Sequence, residues 1–341
     1  MANQHLVHET KYLVTIDVKS LYTNIPHSEG IESCLHFINL FRPELPKFIP
    51  NNRILKTLFQ FVLENNYFLF QDTLYRQKFG TAMGSRMAPA YANLFLGKFE
   101  DENILIYPYL TKILQYNRFL DDIFLLWKGN LNELTEFQQY INQIHPTIKF
   151  TIEHSNKSIN FLDTTIYIDR KVRKFKSKVF TKPTNAKPLL HYTSYHSIHT
   201  KENIIYTQAL RYRLLTTDNK TFKNELKDLT KTLKRRGYPL QMIRRNFKKT
   251  AHLTQSDCLH NKIKKVNCNK NYKLNLSPKH RLPFIIEYYE NLRQIKHILN
   301  RHWHLIQKDP VLHNIFPKKP YIVYKRHKNI AQKLVRARFL E

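Results

Sequence analysis

The sequence predicts an α+β fold in its first half and an all-α, strongly basic second half. Three observations carry that expectation. Short apolar, β-branched runs are interspersed with amphipathic helical spacings over residues 1–170. Charge divides along the chain: residues 1–170 hold 16 basic and 17 acidic side chains, whereas residues 171–341 hold 40 and 9. With 42% hydrophobic and 13% aromatic residues, a chain of 341 can bury cores in two or three domains.

In chain order, residues 12–18, Tyr-Leu-Val-Thr-Ile-Asp-Val, read as a buried strand that nears its end on an acid. Ser28 offers an N-cap for a helix over about 29–41, which Pro43 and Pro46 close. A second helix over about 52–65 carries Leu55, Leu58, Phe61 and Val62 on one side. Residues 67–70 and 74–78 form a hairpin around Gln71, Asp72 and Thr73, and a loop over 80–89 feeds a further helix. Apolar runs 113–119 and 123–127 flank Leu120, Asp121 and Asp122, a second hairpin with its acids at the tip. A helix over about 131–144 and strands over about 147–153 and 159–168 complete an α+β unit.

The second half reads as helical. Phe222, Leu226, Leu229 and Leu233 recur at i, i+4, i+7 and i+11, and Gly237 ends that helix. Pro239 then opens another, in which Ile243 and Phe247 alternate with Arg244, Arg245, Lys248 and Lys249. With a helix over about 202–215 this resembles a helix-turn-helix whose last helix is basic, although an ordinary three-helix unit fits the same pattern. Residues 255–282 read as a polar linker, and 283–307 as a long amphipathic helix before a Pro- and Lys-rich end.

A half-chain this basic repels itself, so a polyanionic partner is expected, and nucleic acid is the commonest. No apolar run approaches the roughly 18 residues of a spanning helix, and no secretory signal opens the chain. Cys34, Cys258 and Cys268 make no disulfide framework and point to a reducing compartment, nuclear or cytoplasmic. Cys258 and Cys268, near His252 and His260, match no familiar zinc spacing.

Three acids carry the chemistry. Asp17 near the end of an apolar strand is costly if left charged and without a partner. Asp121 and Asp122, read alone, make an ordinary solvated turn. Their flanks are apolar, however, so they project from a buried sheet alongside which a strand ending in Asp17 can lie. Three such carboxylates repel one another unless divalent cations screen them, as in a two-Mg²⁺ phosphoryl-transfer site with ions about 4 Å apart. In addition, two of only 6 glycines, Gly80 and Gly84, fall in one loop, where a backbone turns sharply or admits a ligand closely.

Together these segments resemble the ordered motifs of reverse transcriptases, which implies a right-hand polymerase palm with an antiparallel sheet and packed helices. Residues 16–22, Ile-Asp-Val-Lys-Ser-Leu-Tyr, look like the first metal-binding motif; 80–89 look like the template-and-nucleotide loop; 118–122, Arg-Phe-Leu-Asp-Asp, look like the aromatic-x-Asp-Asp motif; and 159–163 look like the primer-gripping strand. Thr-Asn-Ile-Pro after Tyr22, Met-Gly-Ser in the loop and Asn-Phe-Leu-Asp later most resemble Penelope-like retroelements, relatives of telomerase. Residues 191–247 look like the helix-turn-helix-like region that follows the polymerase there, and 283–341 like the linker into a GIY-YIG endonuclease.

The resemblance implies that Asp17 and Asp121 are the principal ligands of two Mg²⁺, with Mn²⁺ as a substitute, and that Asp122 supports them. It places the backbone of Val18, Lys19, Ser20 and Leu21 near the triphosphate, Tyr22 against the ribose 2′-position, and Gly84 and Ser85 beneath nucleotide and template. Phe161 and Leu162 would contact the primer, while Lys149 or Lys157 falls where some polymerases keep a proton donor. Arg235, Arg236, Arg244, Arg245, Lys248 and Lys249 would bind nucleic acid. The implied partners are an RNA template, a DNA primer and deoxynucleotides, with no membrane.

Only 16 residues precede Asp17, fewer than a fingers region needs, and no nuclease follows. The expectation is therefore a chain truncated at both ends, weak or inactive alone, with fingers or endonuclease supplied by another chain. The implied domains are a palm over 1–170, a basic helical domain over 171–254, a linker over 255–282 and a helical segment over 283–341. A catalytically inactive nucleic-acid-binding remnant is the alternative, and a metal-dependent nuclease a third.

Overall fold

A computed structural model describes residues 2–46, 48–105, 108–184, 188–259, 283–289, 293–316 and 318–325. His260, Cys268, most of the expected linker and the end of the last segment lie outside the described residues. The chain forms two compact units, Met1–Thr181 and Lys182–Glu341.

In the first unit, a short helix α1 (Ala2–Glu9) leads into β1 (Tyr12–Val18). A single turn α2 (Leu21–Asn24) and helix α3 (His27–Leu40) follow. Pro26, not Ser28, holds the N-cap position of α3, because its fixed extended conformation sets the chain direction one residue before the first helical turn. Next come α4 (Asn52–Glu64), the hairpin β2 (Tyr67–Phe70) and β3 (Thr73–Arg76), and α5 (Ala88–Phe99), which runs on into a π-helical turn over Glu100–Ile104. Strands β4 (Ile113–Phe119) and β5 (Asp122–Trp127), helix α6 (Leu131–Ile144) and strand β6 (Phe150–Ser155) complete the main sheet and its cover. A second, three-stranded sheet holds β7 (Ser158–Phe161), β8 (Thr164–Asp169) and β9 (Lys174–Val179).

The main sheet is antiparallel with strand order β4-β5-β1-β6. Its central strands are apolar on both faces because both faces are covered. Val14, Ile16, Val18, Ile123, Leu125 and Trp127 pack against α3, α5 and α6, through Ile31, Cys34, Phe95, Leu96, Phe137 and Ile141 among others. On the other face Leu13, Phe124 and Leu126 meet Ile159, Phe161 and Ile166 of the smaller sheet. Asn130 and Glu133 close a reciprocal capping box at the start of α6. Burial pushes the Cys34 thiol up to about 12.

Some expectations change. The apolar side of α4 is not covered: Leu58, Phe61 and Val62 remain exposed, as does the β2–β3 hairpin, and Leu63 is the buried residue of that helix. The strand expected over 159–168 breaks at Leu162, whose left-handed backbone (φ 51°) turns it into β7 and β8. Strand β9 then places the end of the first unit at Thr181 instead of residue 170.

In the second unit α7 (Ile198–Leu215), α8 (Asn219–Arg235) and α9 (Leu240–Lys248) pack together through Ile205, Ala209, Phe222, Leu229, Leu233 and Ile243. Gly237, at φ 79°, ends α8 as expected. Arg213 is buried and pins the α7–α8 turn: its guanidinium donates to Asn219 Oδ1 at 2.6 Å and to the Thr216 and Thr217 carbonyls, and lies 4.6 Å from the Phe222 ring centre. The expected helix over 283–307 instead opens as strand β10 (Pro283–Glu287), which pairs in parallel with β11 (Tyr321–Lys325). Helices over Arg293–Lys308 and Pro310–Ile315 lie between them in sequence. Two β-branched residues, Ile285 and Ile286, favour that strand, and its partner lies too far along the chain for local periodicity to reveal.

Phe137 is fully buried, with ring centres 5.5 Å from Trp127 and 5.1 Å from Tyr109. Phe137→Ala is expected to destabilise the first unit by about 3–5 kcal/mol, through lost transfer energy plus the cavity left behind. Urea denaturation followed by tryptophan emission measures this; a loss under about 1 kcal/mol would show that α6 is not held by this contact.

Candidate active site

The site forms where β1 and β5 leave the covered part of the sheet. The register sets Asp17 directly opposite Asp122, so their side chains share one face, the same face that carries Leu13, Phe124 and Leu126 further along. Cβ atoms of directly opposed residues lie about 4.5–5.5 Å apart, and like charges so placed are destabilising unless a cation stands between or beside them. Val18 N–H donates to the Asp121 carbonyl at 3.2 Å, so the ladder carries Asp121 alongside the pair. Asp17 is exposed, and Asp121 and Asp122 are half-buried.

The turn holding these acids is two residues long, Leu120 and Asp121; Asp122 begins β5 instead of sitting at the tip. Leu120 adopts φ 58°, which an L-residue with a bulky side chain enters only under constraint. Arg118 supplies part of that constraint. Its guanidinium donates to the Leu120 carbonyl at 3.2 Å, to Asn93 Oδ1 at 2.7 Å and to Glu100 Oε1 at 2.6 Å. Tyr116 also donates to Glu100 Oε1 at 2.6 Å, and burial together with the Glu100 charge pushes the Tyr116 hydroxyl well above its usual pKa. The π-helical turn after α5 begins at Glu100. This network, unseen in the sequence, braces the carboxylate turn against α5.

The glycine loop docks on the segment that follows Asp17. Gly80 (φ 66°) lies so close to it that an added Cβ would meet the Tyr22 carbonyl oxygen at 2.4 Å and Thr23 Cα at 2.5 Å. Thr81 N–H donates to the Tyr22 carbonyl at 2.6 Å, and His27 Nε2 donates to the Gly80 carbonyl at 2.8 Å. The backbone therefore requires Gly80, whereas Gly84 has open space around it. Ser85 Oγ accepts from Met87 N–H at the entry to α5. Tyr22 is half-buried against the main core.

Not every expected residue is available for its role. The Val18 and Lys19 amides are committed, the first to Asp121 and the second to the Lys149 carbonyl at 2.8 Å, so neither can face a triphosphate. Lys149 Nζ donates to the Asn142 and His145 carbonyls at 2.6 and 2.9 Å, which holds it at the C-terminal end of α6. Ser20 does sit in a strained, left-handed conformation (φ 49°) at the start of α2. Phe161 packs on Phe124 at 5.5 Å between ring centres, and Leu162 is exposed at the next turn. Among the described residues, no three His, Cys, Asp or Glu side chains converge closely enough to form a ready metal-binding group, Cys258 included.

In the second unit Arg235, Arg244, Arg245, Lys248 and Lys249 are exposed, and Arg236 is half-buried. Arg245 is ion-paired with Glu202, and Lys249 Nζ donates to Asn246 Oδ1. A stronger feature went unread in the sequence: Lys220, Lys223, Lys227, Lys231 and Lys234, at spacings of three and four, line the exposed side of α8 opposite its buried stripe. The periodicity that revealed Phe222 and Leu229 would also have found this row.

Residues 2–189, more than half of the chain, match the model of the reverse transcriptase (RNA-dependent DNA polymerase) family. The chain belongs to that family. The mixed α+β polymerase fold expected from the sequence is thereby borne out. Residues 189–248 match a second model, the animal helix-turn-helix domain. Among solved structures it is similar to telomerase from Candida albicans in complex with the TWJ fragment of telomeric RNA (11% identity, TM-score 0.46), covering 66% of this chain and 39% of that one. It is also similar to apo telomerase from Candida tropicalis (11%, 0.41; 81% and 53%) and to Sicinivirus 3Dpol RNA-dependent RNA polymerase (12%, 0.43; 73% and 54%). The chain thus spans between 39% and 54% of the length of these three. No curated protein matches it. No helix among the described residues is long and apolar enough to cross a membrane.

The brace makes a stability prediction. The side chains of Arg118 and Glu100 are only 14% and 8% exposed, so Arg118→Met strands a buried carboxylate and should cost about 3–5 kcal/mol. Adding Glu100→Gln should restore much of the loss, and a double-mutant cycle by chemical denaturation reads the coupling; additive losses would mean that the two groups do not act together.

Proposed function

We propose that this reverse transcriptase is the polymerase of a Penelope-like retroelement, extending a DNA primer on an RNA template by two-Mg²⁺ nucleotidyl transfer. One observation carries the reading: the ladder opposes Asp17 to Asp122 and keeps Asp121 alongside, at the open end of a buried sheet. These residues suit Mg²⁺, which prefers carboxylate oxygen and shares its shell with water and substrate phosphates, so few protein ligands are needed. When bound, the ions would supply the charge neutralisation and the activation of the primer hydroxyl that this reaction requires. The family's order of motifs and the helix-turn-helix match after the polymerase support the retroelement assignment.

The primer 3′-hydroxyl gives up its proton to solvent as its oxygen bonds to the α-phosphorus and the bond to the leaving pyrophosphate breaks. In this reading Asp17, Asp121 and Asp122 would hold the metal ions, and the Arg118 brace keeps the turn from swinging away. The Gly80 contact holds Tyr22, whose ring stands where a ribose 2′-hydroxyl would come. Phe161 and Leu162 then steady the primer strand. Lys149 is engaged on α6, and Lys157, beyond Ser155 opposite Leu13, lies at the other end of β1 from Asp17, so neither is assigned as a proton donor. The lysine row of α8 and the cations of α9 follow template and primer phosphates in a nuclear or cytoplasmic setting.

Primer extension on an RNA template with Mg²⁺ tests the reading: Asp121→Asn should abolish product, and undiminished synthesis would sink the assignment. Tyr22→Ala should admit ribonucleotides; unchanged sugar selectivity would remove Tyr22 from that role. A second reading, a non-catalytic nucleic-acid-binding remnant, draws on the absence of a ready three-ligand metal group among the described residues. It calls for salt-sensitive binding with no incorporation by the unmodified protein.

A further inference from the structure

The second unit contains a cleft that polymerase chemistry does not use. It has a volume of about 390 Å³ and lies between the loop before α7 and the residue that follows β10. Three tyrosines frame it. Tyr195 and Tyr288 meet edge to face at 5.4 Å, and Tyr324 of β11 steadies Tyr288 from behind at 5.5 Å. The third, Tyr192, is held by its N–H donating to the Arg236 carbonyl at 2.9 Å and by its ring packing against Tyr238 at 5.5 Å. Tyr288 is held likewise, its N–H donating to the Lys325 carbonyl at 3.0 Å. Rings fixed through their backbones form a stiff recess.

Its polar lining is one-sided. Lys201 stands over the Tyr192 ring with Nζ 5.1 Å from the centroid, and Thr193 and Ser194 line the wall with hydroxyls that donate to His191 and keep lone pairs to accept from a ligand. His196 also lines it, and its Nδ1 is shut off from solvent without a hydrogen-bonding partner in the structure. Among the described residues, no carboxylate lines the cleft. The surrounding half of the chain carries 40 basic and 9 acidic residues. Such a wall suits a ligand with a flat π-face, hydrogen-bonding edges and a negative charge.

We propose that this cleft receives one unstacked base, with its adjoining phosphate, from a single-stranded nucleic acid. Tyr195, more than half exposed, offers the stacking face; Lys201 takes the phosphate; Thr193, Ser194 and His196 meet the sugar and base edge. The volume is near the lower end of the range for small-ligand sites, which suits one nucleotide. A duplex is excluded because its bases have no free face to offer, whereas single strands are recognised by splaying bases onto aromatic side chains. The inference rests on the proposed reading only in taking nucleic acid as the partner, not on nucleotidyl transfer.

The test uses the full chain and a short single-stranded RNA carrying 2-aminopurine, with a duplex of equal length beside it. Binding should quench the 2-aminopurine emission. Tyr195→Ala should weaken single-strand binding by roughly 5- to 150-fold, the span for loss of one base–aromatic stack, and leave duplex binding unchanged. Tyr195→Phe should behave as the unmodified protein, since the ring is what stacks. Lys201→Gln should lower the salt slope of single-strand binding by about 0.7, one phosphate contact. The proposal is overturned if the unmodified chain does not bind or quench the strand, if Tyr195→Ala and Lys201→Gln bind it unchanged, or if Tyr195→Ala weakens duplex binding equally. Asp121→Asn, assayed for both primer extension and quenching, separates the two readings: loss of extension with intact quenching concerns the polymerase alone.

Discussion

The register of β1 against β5 is the constraint on which the rest of the first unit depends. Side chains alternate along a strand, so a slip of one residue would move Asp17 to the α3–α5–α6 face and bring Ile16 out of it. Burial of Val14, Ile16, Val18, Ile123, Leu125 and Trp127 on one face, and of Leu13, Phe124 and Leu126 on the other, opposes that slip from both sides. The opposition of two carboxylates, unfavourable by itself, is therefore a consequence of a core that tolerates no other alignment.

The same constraint explains why the turn can hold a leucine in a left-handed conformation. Ladder hydrogen bonds grip Phe119 and Asp122 on either side, and Arg118 anchors the Leu120 carbonyl to α5 and Glu100. Phe-Leu-Asp recurs at 161–163, where Leu162 also takes a positive φ between paired strands. Local sequence and cross-strand pairing agree at both turns, and only the first is followed by a second acid. Gly80 serves a different end: its missing Cβ lets the loop approach Tyr22 and Thr23, so two motifs distant in sequence become one surface.

In the second unit the buried Arg213 plays the organising part, tying the end of α7 to the start of α8 through Asn219 and the Thr216 and Thr217 carbonyls. The turn it pins leaves the lysine row of α8 outward and the loop before α7 seated on Arg236 and Tyr238. Basic charge and the tyrosine cleft thus arise on a single helical frame.

What the sequence determined by itself was whatever short-range pattern encodes. The strand at 12–18, the helix at 131–144 and the glycine stop at Gly237 were legible because periodicity and capping act over a few residues. The acids of the candidate site were legible because their neighbours are apolar. Tertiary structure alone decided what those residues meet: that Asp122 and not Asp121 faces Asp17, that the Val18 and Lys19 amides are already engaged, and that Lys149 belongs to α6. It also decided that α4 keeps an apolar side exposed and that residues 283–287 pair as a strand with a partner some forty positions away. Amphipathic spacing says which side of an element is apolar, but what covers that side depends on contacts between residues far apart in the chain, and no local pattern records them.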